Sequence, residues 1–579
     1  MSSPALIAVI GALPFPVAVA MVARVLGGRM RVARAAGLVL AWTQIGAMLL
    51  LATGSLTGVA VAAWIALGGA GLGVWRALGW RHAARPVPFD LVLTANCALP
   101  ALFLLACAAV PPWYRDELVY HLALPQQFVA AHGYVQPDDN IFANFPLGWE
   151  SIVAAGMALG LPNARELGAW VTLADAAAIA GIAARFGARP AGRAAAALVF
   201  LLIPTVLEFG ASAYVEPYLV LLSLLTLDAV IDATKATGPE ARRWAVRAAG
   251  TWAGLAMSVK YPGVAVAGLV LTLLPGERVT ALVPMLVLGT PFYLRNLLTR
   301  GNPVFPLAYG AFGGLGWDAT RAWGYGLTLD HYGLGRGLVD YLLLVPRLLT
   351  TRAMHTAFQG SVGPALLVGA WALRRRPKLL LFVVAWTIWW ALTVQQVRFY
   401  LPAAAVLSIG VGLQVHRRWT AGVLVAGAVA WSAAPAVNLW QTQQTGAWWT
   451  GAVSKDALLD TLLPDSAPVY RDVARLVPPN GRVWLVWMRG YTLDFPRDYR
   501  LDCVFESWRL EKALDEDAVP ADVTHLLINE RFFLTADSAD WQTPGRTARL
   551  RAQWATWLAA GHVREVQRWG AVALYEVRP

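Results

Sequence analysis

The stretch RDELVYHLALP, at positions 115–125, places two carboxylates, a phenol and an imidazole at the end of an apolar run. Asp116 and Tyr120 are four residues apart, and so are Glu117 and His121, so a helix would bring each pair to one side. A carboxylate held beside a substrate hydroxyl can take its proton as a general base. A simpler interpretation is also open, in which Asp116 caps an interfacial helix and its neighbours face solvent.

Further polar residues stand where other apolar runs end, in the segments SAYVEP, GLAMSVKYPG, PFYLRNLLTRGNPVFP and QQVRFYLP. They are Glu216, Lys260, Arg295, Asn302 and Arg398. Each could be an ordinary boundary residue, and the ammonium of Lys260 could extend to lipid headgroups. Acids and cations that converge from separate helices instead favour a functional site.

Composition indicates the kind of scaffold that carries these residues. Of the 579 residues, 58% are hydrophobic and 14% are charged, and the mean hydropathy is +0.52, which is typical of a polytopic membrane protein. The net charge of +12 belongs to the membrane part, because residues 450–579 hold 16 Lys and Arg against 18 Asp and Glu. Membrane topology explains basic loops, so the charge indicates no nucleic-acid partner. Three cysteines suggest no disulfide framework.

The apolar runs predict an α-helical protein with about fourteen transmembrane helices. The runs are 4–24, 35–55, 58–76, 89–110, 166–185, 194–209, 214–233, 244–259, 261–275, 280–296, 357–373, 379–395, 399–415 and 419–437. Basic residues cluster in every second loop, at 29–34, 76–85, 185–193, 235–247, 278, 374–378 and 417–418. The positive-inside rule places these loops in the cytoplasm, so both termini and the polar residues described above are predicted to face outward.

The sequence predicts three parts. Residues 1–87 contain additional N-terminal transmembrane helices, and residues 88–437 form a core with outer loops at 111–165 and 297–356. Residues 438–579 are charged and contain short strand-like runs at 482–488, 499–505 and 523–530, followed by a closing hairpin. Helical stretches at about 467–476, 507–514 and 546–560 are interspersed with these strands. The third part is therefore predicted to be a small extracytoplasmic α/β domain.

Five motifs carry a resemblance to a known family: RDELVYHLALP, AYVEP, GLAMSVKYPG, PFYLRN followed by GNPVFP, and RFYLP. Their order and spacing resemble the bacterial GT-C membrane glycosyltransferases, a group that includes the lipid A aminoarabinose transferases and the protein O-mannosyltransferases. The uncharacterised bacterial branch of that group is more similar. The resemblance covers roughly residues 88–437 and implies a GT-C-like fold for the core.

The resemblance implies that a sugar moves from a polyprenyl-phosphate donor to a lipid, glycan or protein acceptor, with inversion. It also implies a location in the bacterial plasma (inner) membrane, with the active site facing the periplasm. Asp116 matches the presumed catalytic base, and Glu117 and Glu216 are further acidic candidates. A phosphate-linked sugar already has a leaving group, so a base and cations that stabilise the departing phosphate are sufficient.

The resemblance implies that basic residues bind the donor phosphate. Lys260 matches the family's phosphate-binding lysine, and Arg295 and Arg398 match further basic positions. The candidate substrate-binding residues are Tyr120, His121 and Asn302. No cofactor is required by this chemistry, and no metal is assigned because no His and Asp cluster has ligand spacing, although a divalent ion is compatible with it.

Two other functions are compatible with parts of the sequence. A secondary transporter needs charged groups near the bilayer midplane, and Asp175 and Asp228 lie within predicted spans, where they could also be paired core residues. A non-catalytic envelope assembly protein would explain the outer domain. It would not explain the acids and cations at the outer boundary.

Overall fold

The computed structural model describes the chain except for residues 1–10, 27, 78–90, 138–139, 162–163, 352–356, 489–494, 496, 503–507, 534–544 and 579. The beginning of the first predicted span, most of the predicted basic loop at 76–85 and part of the predicted strand at 499–505 lie outside the described residues.

Helices dominate the described chain as far as residue 450. They are α1 (Pro14–Val25), α2 (Arg31–Ala52), α3 (Gly58–Ala77), α4 (Leu91–Ala108), α5 (Ala123–Ala131), α6 (Gly148–Ala158), α7 (Arg165–Arg185), α8 (Pro190–Leu201), α9 (Pro204–Phe209), α10 (Glu216–Lys235), α11 (Pro239–Val259), α12 (Gly263–Leu273), α13 (Arg278–Gly289), α14 (Pro291–Arg300), α15 (Tyr309–Phe312), α16 (Ala319–Asp330), α17 (Leu338–Thr350), α18 (Leu366–Leu373), α19 (Pro377–Leu392), α20 (Leu401–Gln414), α21 (Arg418–Thr442) and α22 (Thr445–Thr450). A π-helix at Glu117–His121 and 3₁₀ turns at Ile141–Asn144, Pro275–Glu277 and Val397–Tyr400 interrupt the series. Proline begins α8, α9 and α19, because its fixed φ suits the first helical turn.

Each predicted apolar run overlaps one or more of these helices. Within the described residues, five helical segments are long and apolar enough to cross a membrane: α2, α7, α10, Val397–Gln414 and α21. The segments Gly263–Leu273 and Pro275–Gly289 would together form a sixth, but they meet at a bend of 99°. The chain is therefore a multi-pass membrane protein. The number of fourteen spans stays a prediction, because other apolar helices are only 10–17 residues long in the described part.

Small residues allow the central helices to approach closely. A Cβ atom on Gly410 of α20 would lie 2.4 Å from the carbonyl oxygen of Gly369 in α18. One on Gly412 would lie 2.5 Å from the carbonyl oxygen of Gly192 in α8. Such contacts are typical of membrane helices, which associate through close van der Waals packing in a solvent as apolar as their own side chains.

Helix α2 packs directly on the core, although the sequence assigns it to a separate N-terminal part. Its Gln44 is fully buried and donates a hydrogen bond from Nε2 to Ser258 Oγ of α11, at 2.7 Å. The hydroxyl of Tyr218 in α10 donates to Gln44 Oε1 at 2.8 Å. One amide therefore joins three helices in a region where an unpaired polar group would be costly.

Four alternating charges join α2, α7 and α10 at the end of the bundle opposite Glu216. Arg34 and Arg185 both contact Asp228 and Asp232, with Arg34 Nη2 lying 2.6 Å from Asp228 Oδ2 and 2.5 Å from Asp232 Oδ2. The Asp228 side chain is 2% exposed, whereas that of Asp232 is 38% exposed. Asp228 is thus a paired core residue. Both arginines come from predicted cytoplasmic loops, and their meeting at one end agrees with the predicted topology.

We expect Asp228→Asn to destabilise the protein more than Asp232→Asn. Removal of one partner from a buried ion pair costs about 3 kcal/mol or more of stability, whereas a half-exposed pair contributes about 1 kcal/mol or less. Melting temperatures of the purified full chain in detergent would measure the difference. Equal shifts for the two variants would contradict a structural role that depends on burial.

The C-terminal part forms the predicted α/β domain. Its elements are α23 (Lys455–Leu462), α24 (Ala467–Leu476), β1 (Arg482–Val486), β2 (Asp498–Asp502), α25 (Trp508–Asp515), β3 (His525–Asn529), α26 (Glu530–Phe533), α27 (Arg546–Ala560), β4 (Val563–Trp569) and β5 (Val572–Val577). The strand order is β2-β1-β3-β5-β4; β1 is parallel to β2 and β3, and β5 is antiparallel to β3 and β4. Within the described residues, the predicted strands, closing hairpin and helices of this part are confirmed.

Both faces of this sheet are covered, which explains the continuous apolar sequence of its central strands. Val483 and Leu485 of β1 pack with α24, whereas Trp484 and Val486 pack in the cluster that contains α25 and α27. The sheet is therefore the middle layer of three.

The beginning of the C-terminal part is fixed to the first outer loop. The indole N–H of Trp448 in α22 donates to the carbonyl oxygen of Ala109 at 2.8 Å. Trp448 also joins Val110, Leu118 and Leu458 in one buried apolar cluster. This contact places the α/β domain on the same side of the bundle as the loop that contains Asp116.

Candidate active site

A π-helix positions the polar residues of the first outer loop. Asp116 precedes it and makes no side-chain capping bond, and the Leu122 N–H donates to the Glu117 carbonyl five residues earlier, at 3.0 Å. Because a π-helical turn contains more than four residues, Asp116, Tyr120 and His121 come to one side. The predicted pairing of Asp116 with Tyr120 is confirmed by a 3.3 Å hydrogen bond. The predicted pairing of Glu117 with His121 is wrong, since each has another partner.

Four charged residues from separate elements form a continuous chain of ion pairs. Arg398 Nη1 lies 2.8 Å from Asp116 Oδ2, and Arg398 Nε lies 3.7 Å from Glu216 Oε1. Lys260 Nζ lies 2.6 Å from the same oxygen of Glu216. We call these four residues the charged cluster. The structure therefore brings together the predicted base, a second predicted acid and two of the three predicted phosphate-binding cations.

The members of the charged cluster differ in their access to solvent. The Asp116 side chain is 21% exposed, those of Arg398 and Lys260 are 12% and 10% exposed, and that of Glu216 is 1% exposed. Asp116 is therefore the accessible acid, and Glu216 lies behind the two cations. Phe399 flanks both cations. Its ring centroid lies 4.4 Å from Lys260 Nζ and 5.0 Å from the Arg398 guanidinium carbon.

The ion pairs determine the protonation state of Asp116. Burial by itself would raise the pKa of this carboxyl group, but the adjacent guanidinium of Arg398 lowers it below its ordinary value. Asp116 is therefore ionised at neutral pH and can accept a proton. Burial lowers the pKa of Lys260, and the attraction of Glu216 offsets only part of that effect.

Glu117 is held inside the protein and away from the charged cluster. It is fully buried and accepts hydrogen bonds from the backbone N–H groups of Trp113, Tyr114 and Ala213, at 3.2, 3.1 and 2.7 Å. Its Oε1 also lies 3.2 Å from Nε of the equally buried Arg165. These bonds connect the start of the outer loop to the segment before α10, so Glu117 holds the two segments that carry Asp116 and Glu216.

We expect Glu117→Ala to reduce stability, because it removes the buried carboxylate that faces Arg165 and accepts from three backbone N–H groups. The expected loss is about 3–5 kcal/mol, visible as a lower melting temperature and a lower yield of folded protein in detergent. Glu117→Gln keeps an acceptor oxygen and should lower the melting temperature less. A melting temperature unchanged in Glu117→Ala would contradict the structural role.

The predicted substrate-binding residues have different surroundings. Tyr120 stacks on Phe142 with ring centroids 4.5 Å apart and lies beside the charged cluster through its bond to Asp116. His121 is paired with Glu150 and its ring centroid lies 5.1 Å from that of Tyr214. Both are therefore placed near the cluster.

Asn302 instead maintains the shape of the second outer loop. Its Nδ2 donates to the carbonyl oxygens of Leu307 and Gly313 at 2.8 and 2.9 Å, and its Oδ1 accepts from the Val304 N–H at 2.9 Å. These backbone bonds occupy both ends of the amide. Asn302 is not joined to the charged cluster by any described hydrogen bond.

Arg295 belongs to a neighbouring polar group rather than to the charged cluster. Its Nη2 donates to the carbonyl oxygen of Phe145 at 3.3 Å and to Asn296 Oδ1 at 3.1 Å. Tyr261, adjacent to Lys260, donates a hydrogen bond to the Phe305 carbonyl at 2.7 Å and accepts one from Asn296 at 3.3 Å, so it links this group to the cluster.

Sequence reasoning missed three residues that shape the site. Arg165 pairs with Glu117, Tyr214 packs 5.0 Å from the Arg398 guanidinium, and Gln396 accepts from Arg398 Nε at 3.1 Å. Arg165 could have been found, because a basic residue at the predicted outer end of a span contradicts the general charge distribution. No three His, Cys, Asp or Glu side chains of the described residues form a group suited to a metal ion.

The chain matches no protein-family model and no curated protein. Among solved structures, ArnT from Cupriavidus metallidurans bound to undecaprenyl phosphate is similar, with a TM-score of 0.55 and 15% identity over 84% of this chain and 97% of that chain. The same enzyme in its apo state gives a TM-score of 0.52 at 14% identity, over 86% of this chain and 98% of that one. The fold is that of a GT-C glycosyltransferase.

The GT-C fold confirms the resemblance that the five motifs indicated. A further similar structure is the Archaeoglobus fulgidus oligosaccharyltransferase complex with Zn and sulfate, with a TM-score of 0.46 and 12% identity over 79% of this chain and 70% of that one. The similarity to ArnT spans almost the whole length of that enzyme. At 15% identity it establishes the fold alone, so the roles of individual residues depend on the geometry of this chain.

Proposed function

We propose that this protein is a membrane glycosyltransferase that transfers a sugar from a polyprenyl-phosphate donor to a hydroxyl-bearing lipid, glycan or protein. The charged cluster carries the proposal. It provides one accessible carboxylate and two cations within a GT-C fold, and these are the groups that the reaction requires. The similarity to ArnT bound to undecaprenyl phosphate supports a polyprenyl-phosphate donor.

Asp116 is the proposed base, because it is the more solvent-accessible of the two acids in the cluster and is ionised. In the transfer step the acceptor oxygen attacks the anomeric carbon of the sugar while its proton passes to Asp116. The bond between that carbon and the phosphate oxygen breaks, and its electron pair remains on the phosphate. Attack opposite to the leaving group inverts the anomeric configuration.

Lys260 and Arg398 are proposed to stabilise the charge that develops on the departing phosphate. Both already lie beside carboxylates in an apolar setting, so their positions are fixed before the donor arrives. Glu216 forms ion pairs with both cations and is proposed to orient them rather than to exchange a proton. Arg295 is a proposed second contact for the phosphate or its lipid, through the polar group next to Lys260.

We place the reaction at the outer face of a bacterial plasma membrane, with the active site facing the periplasm. Glu216 begins α10, a helix of 20 residues, and Asp228 and Asp232 meet the basic loops near its other end. A helix of this length spans about 30 Å, which is the thickness of the hydrocarbon layer. The positive-inside rule assigns the arginine-rich end to the cytoplasm and the charged cluster to the opposite face.

The direct test is sugar transfer by membranes that contain the protein. Membranes with and without it would receive a panel of radiolabelled undecaprenyl-phosphate sugars, and loss of label from the lipid into products would be measured. We expect protein-dependent transfer from at least one donor. Absence of transfer across the panel, with the folded protein present, would contradict the proposal.

A further inference from the structure

A buried histidine and glutamate lie beside the charged cluster without belonging to it. His121 Nδ1 is 2.6 Å from Glu150 Oε1, and the two side chains are 1% and 3% exposed. His121 is the last residue of the π-helix, and Glu150 lies in the first turn of α6. The pair therefore joins two elements of the outer loop directly behind Asp116 and Tyr120.

Half of the polar atoms in this pair lack partners among the described residues. His121 Nε2 and Glu150 Oε2 are buried and neither makes a hydrogen bond. A buried polar atom without a partner costs about 1–3 kcal/mol, so its retention calls for a functional explanation. The close contact between Nδ1 and a carboxylate favours the proton on Nδ1, because a carboxylate accepts hydrogen bonds and cannot donate them.

We infer that Glu150 fixes His121 as the Nδ1–H tautomer, so that the lone pair of Nε2 accepts a hydrogen bond from a hydroxyl group of the donor sugar or of the acceptor. This inference rests on the proposed function and adds a recognition element to the same site. His121 is a binding residue in this arrangement, and Glu150 is a positioning residue that acts through it.

The surroundings of the imidazole favour a neutral hydroxyl ligand over a second phosphate. The ring centroids of Tyr120 and Tyr214 lie 4.0 and 5.1 Å from that of His121, so two tilted aromatic rings flank it. The adjacent carboxylate of Glu150 would repel an anion. A hydroxyl that donates to Nε2 would satisfy the unpartnered atom without introducing charge.

Variants that mimic one ring nitrogen at a time separate this role from a structural one. His121→Asn retains an amide near the position of Nδ1, where it can still donate to Glu150, but has no atom at Nε2. His121→Gln retains an amide near Nε2. We expect His121→Asn to keep the wild-type melting temperature and to lose about 10- to 100-fold in kcat/KM, with a smaller loss for His121→Gln.

The matched control is His132→Asn, which alters a histidine of the same outer loop. His132 Nδ1 lies 2.8 Å from the carbonyl oxygen of Leu56, and the residue has a φ of 53°, which asparagine tolerates. We expect wild-type transfer from this control. Wild-type transfer by His121→Asn, with normal transfer by the unaltered protein, would overturn the inference and leave the proposed function intact. Absence of transfer by the unaltered protein would overturn both.

Two variants of Glu150 provide a second test of the inference, which applies even if His121→Asn does not fold. Glu150→Gln retains an oxygen that accepts from Nδ1, whereas Glu150→Ala retains none. We expect the glutamine variant to keep most of the rate and the alanine variant to lose as much as His121→Asn. Equal rates in the two Glu150 variants would overturn the role of the tautomer.

Ligand-induced stabilisation distinguishes the two sources of the hydroxyl. Melting temperatures of the purified chain would be measured in the presence of undecaprenyl phosphate and in the presence of its sugar-linked forms. If the hydroxyl belongs to the donor sugar, His121→Asn should lose only the additional stabilisation that the sugar gives. If it belongs to the acceptor, stabilisation by both lipids should remain while kcat/KM falls. Loss of stabilisation by undecaprenyl phosphate itself would overturn the inference, because that lipid has no sugar hydroxyl.

Discussion

Asp116→Asn is expected to reduce sugar transfer by about 100- to 10,000-fold, the range observed when a general base is removed. Asparagine has nearly the same shape and keeps an oxygen that can accept from Arg398 Nη1, now 2.8 Å from the carboxylate. It cannot accept a proton from the acceptor hydroxyl at neutral pH. Initial rates in membranes matched for protein content would measure the effect.

A matched control for this variant is Asp330→Asn, at the C-terminal end of α16. The Asp330 side chain is 69% exposed and its pairing with Arg336, at 3.6 Å, is a surface contact. We expect wild-type transfer from it. Near wild-type transfer by Asp116→Asn would remove Asp116 as the base and direct attention to Glu216, the other acid of the charged cluster.

Lys260→Met is expected to reduce transfer by about 100- to 1,000-fold, because it removes a fixed cation from the position where negative charge develops. Methionine has a side chain of similar length and volume, so the variant removes the charge without leaving a large cavity. Lys260→Arg should also have low transfer activity, since a planar guanidinium does not replace an ammonium that is 2.6 Å from Glu216. Initial rates over a range of donor concentrations would measure the loss.

A binding measurement relates the effect of Lys260 to the phosphate. Undecaprenyl phosphate should raise the melting temperature of the wild-type protein, and the shift should be much smaller in Lys260→Met. Lys512→Met, in which the replaced side chain is 60% exposed on α25, should behave like the wild type in both assays. An unchanged shift together with lost transfer would assign Lys260 to a step other than phosphate binding.

The outer-boundary motifs contain all four residues of the charged cluster. Asp116, Glu216, Lys260 and Arg398 could be selected because charged residues are rare at the ends of apolar helices and costly unless they pair. The same reasoning selected Asn302 and Glu117, which have structural surroundings instead. A local pattern shows that a polar residue needs a partner, but it does not show whether that partner is a substrate, a backbone group or a buried arginine.

The sequence by itself determined the membrane class, the helical core, the α/β domain and the end of the bundle that carries the polar residues. These properties depend on composition, periodicity and the distribution of arginine, which are local or additive along the chain. The tertiary structure decided which charges meet, because Asp116 and Arg398 are 282 residues apart and come together only when separate helices pack. The tertiary structure also decided that residues 117–121 form a π-helix, which turns His121 toward Glu150. The hydrogen bonds of α- and π-helices differ in spacing by only one residue, so a segment of five residues does not reveal in its sequence which of the two it forms.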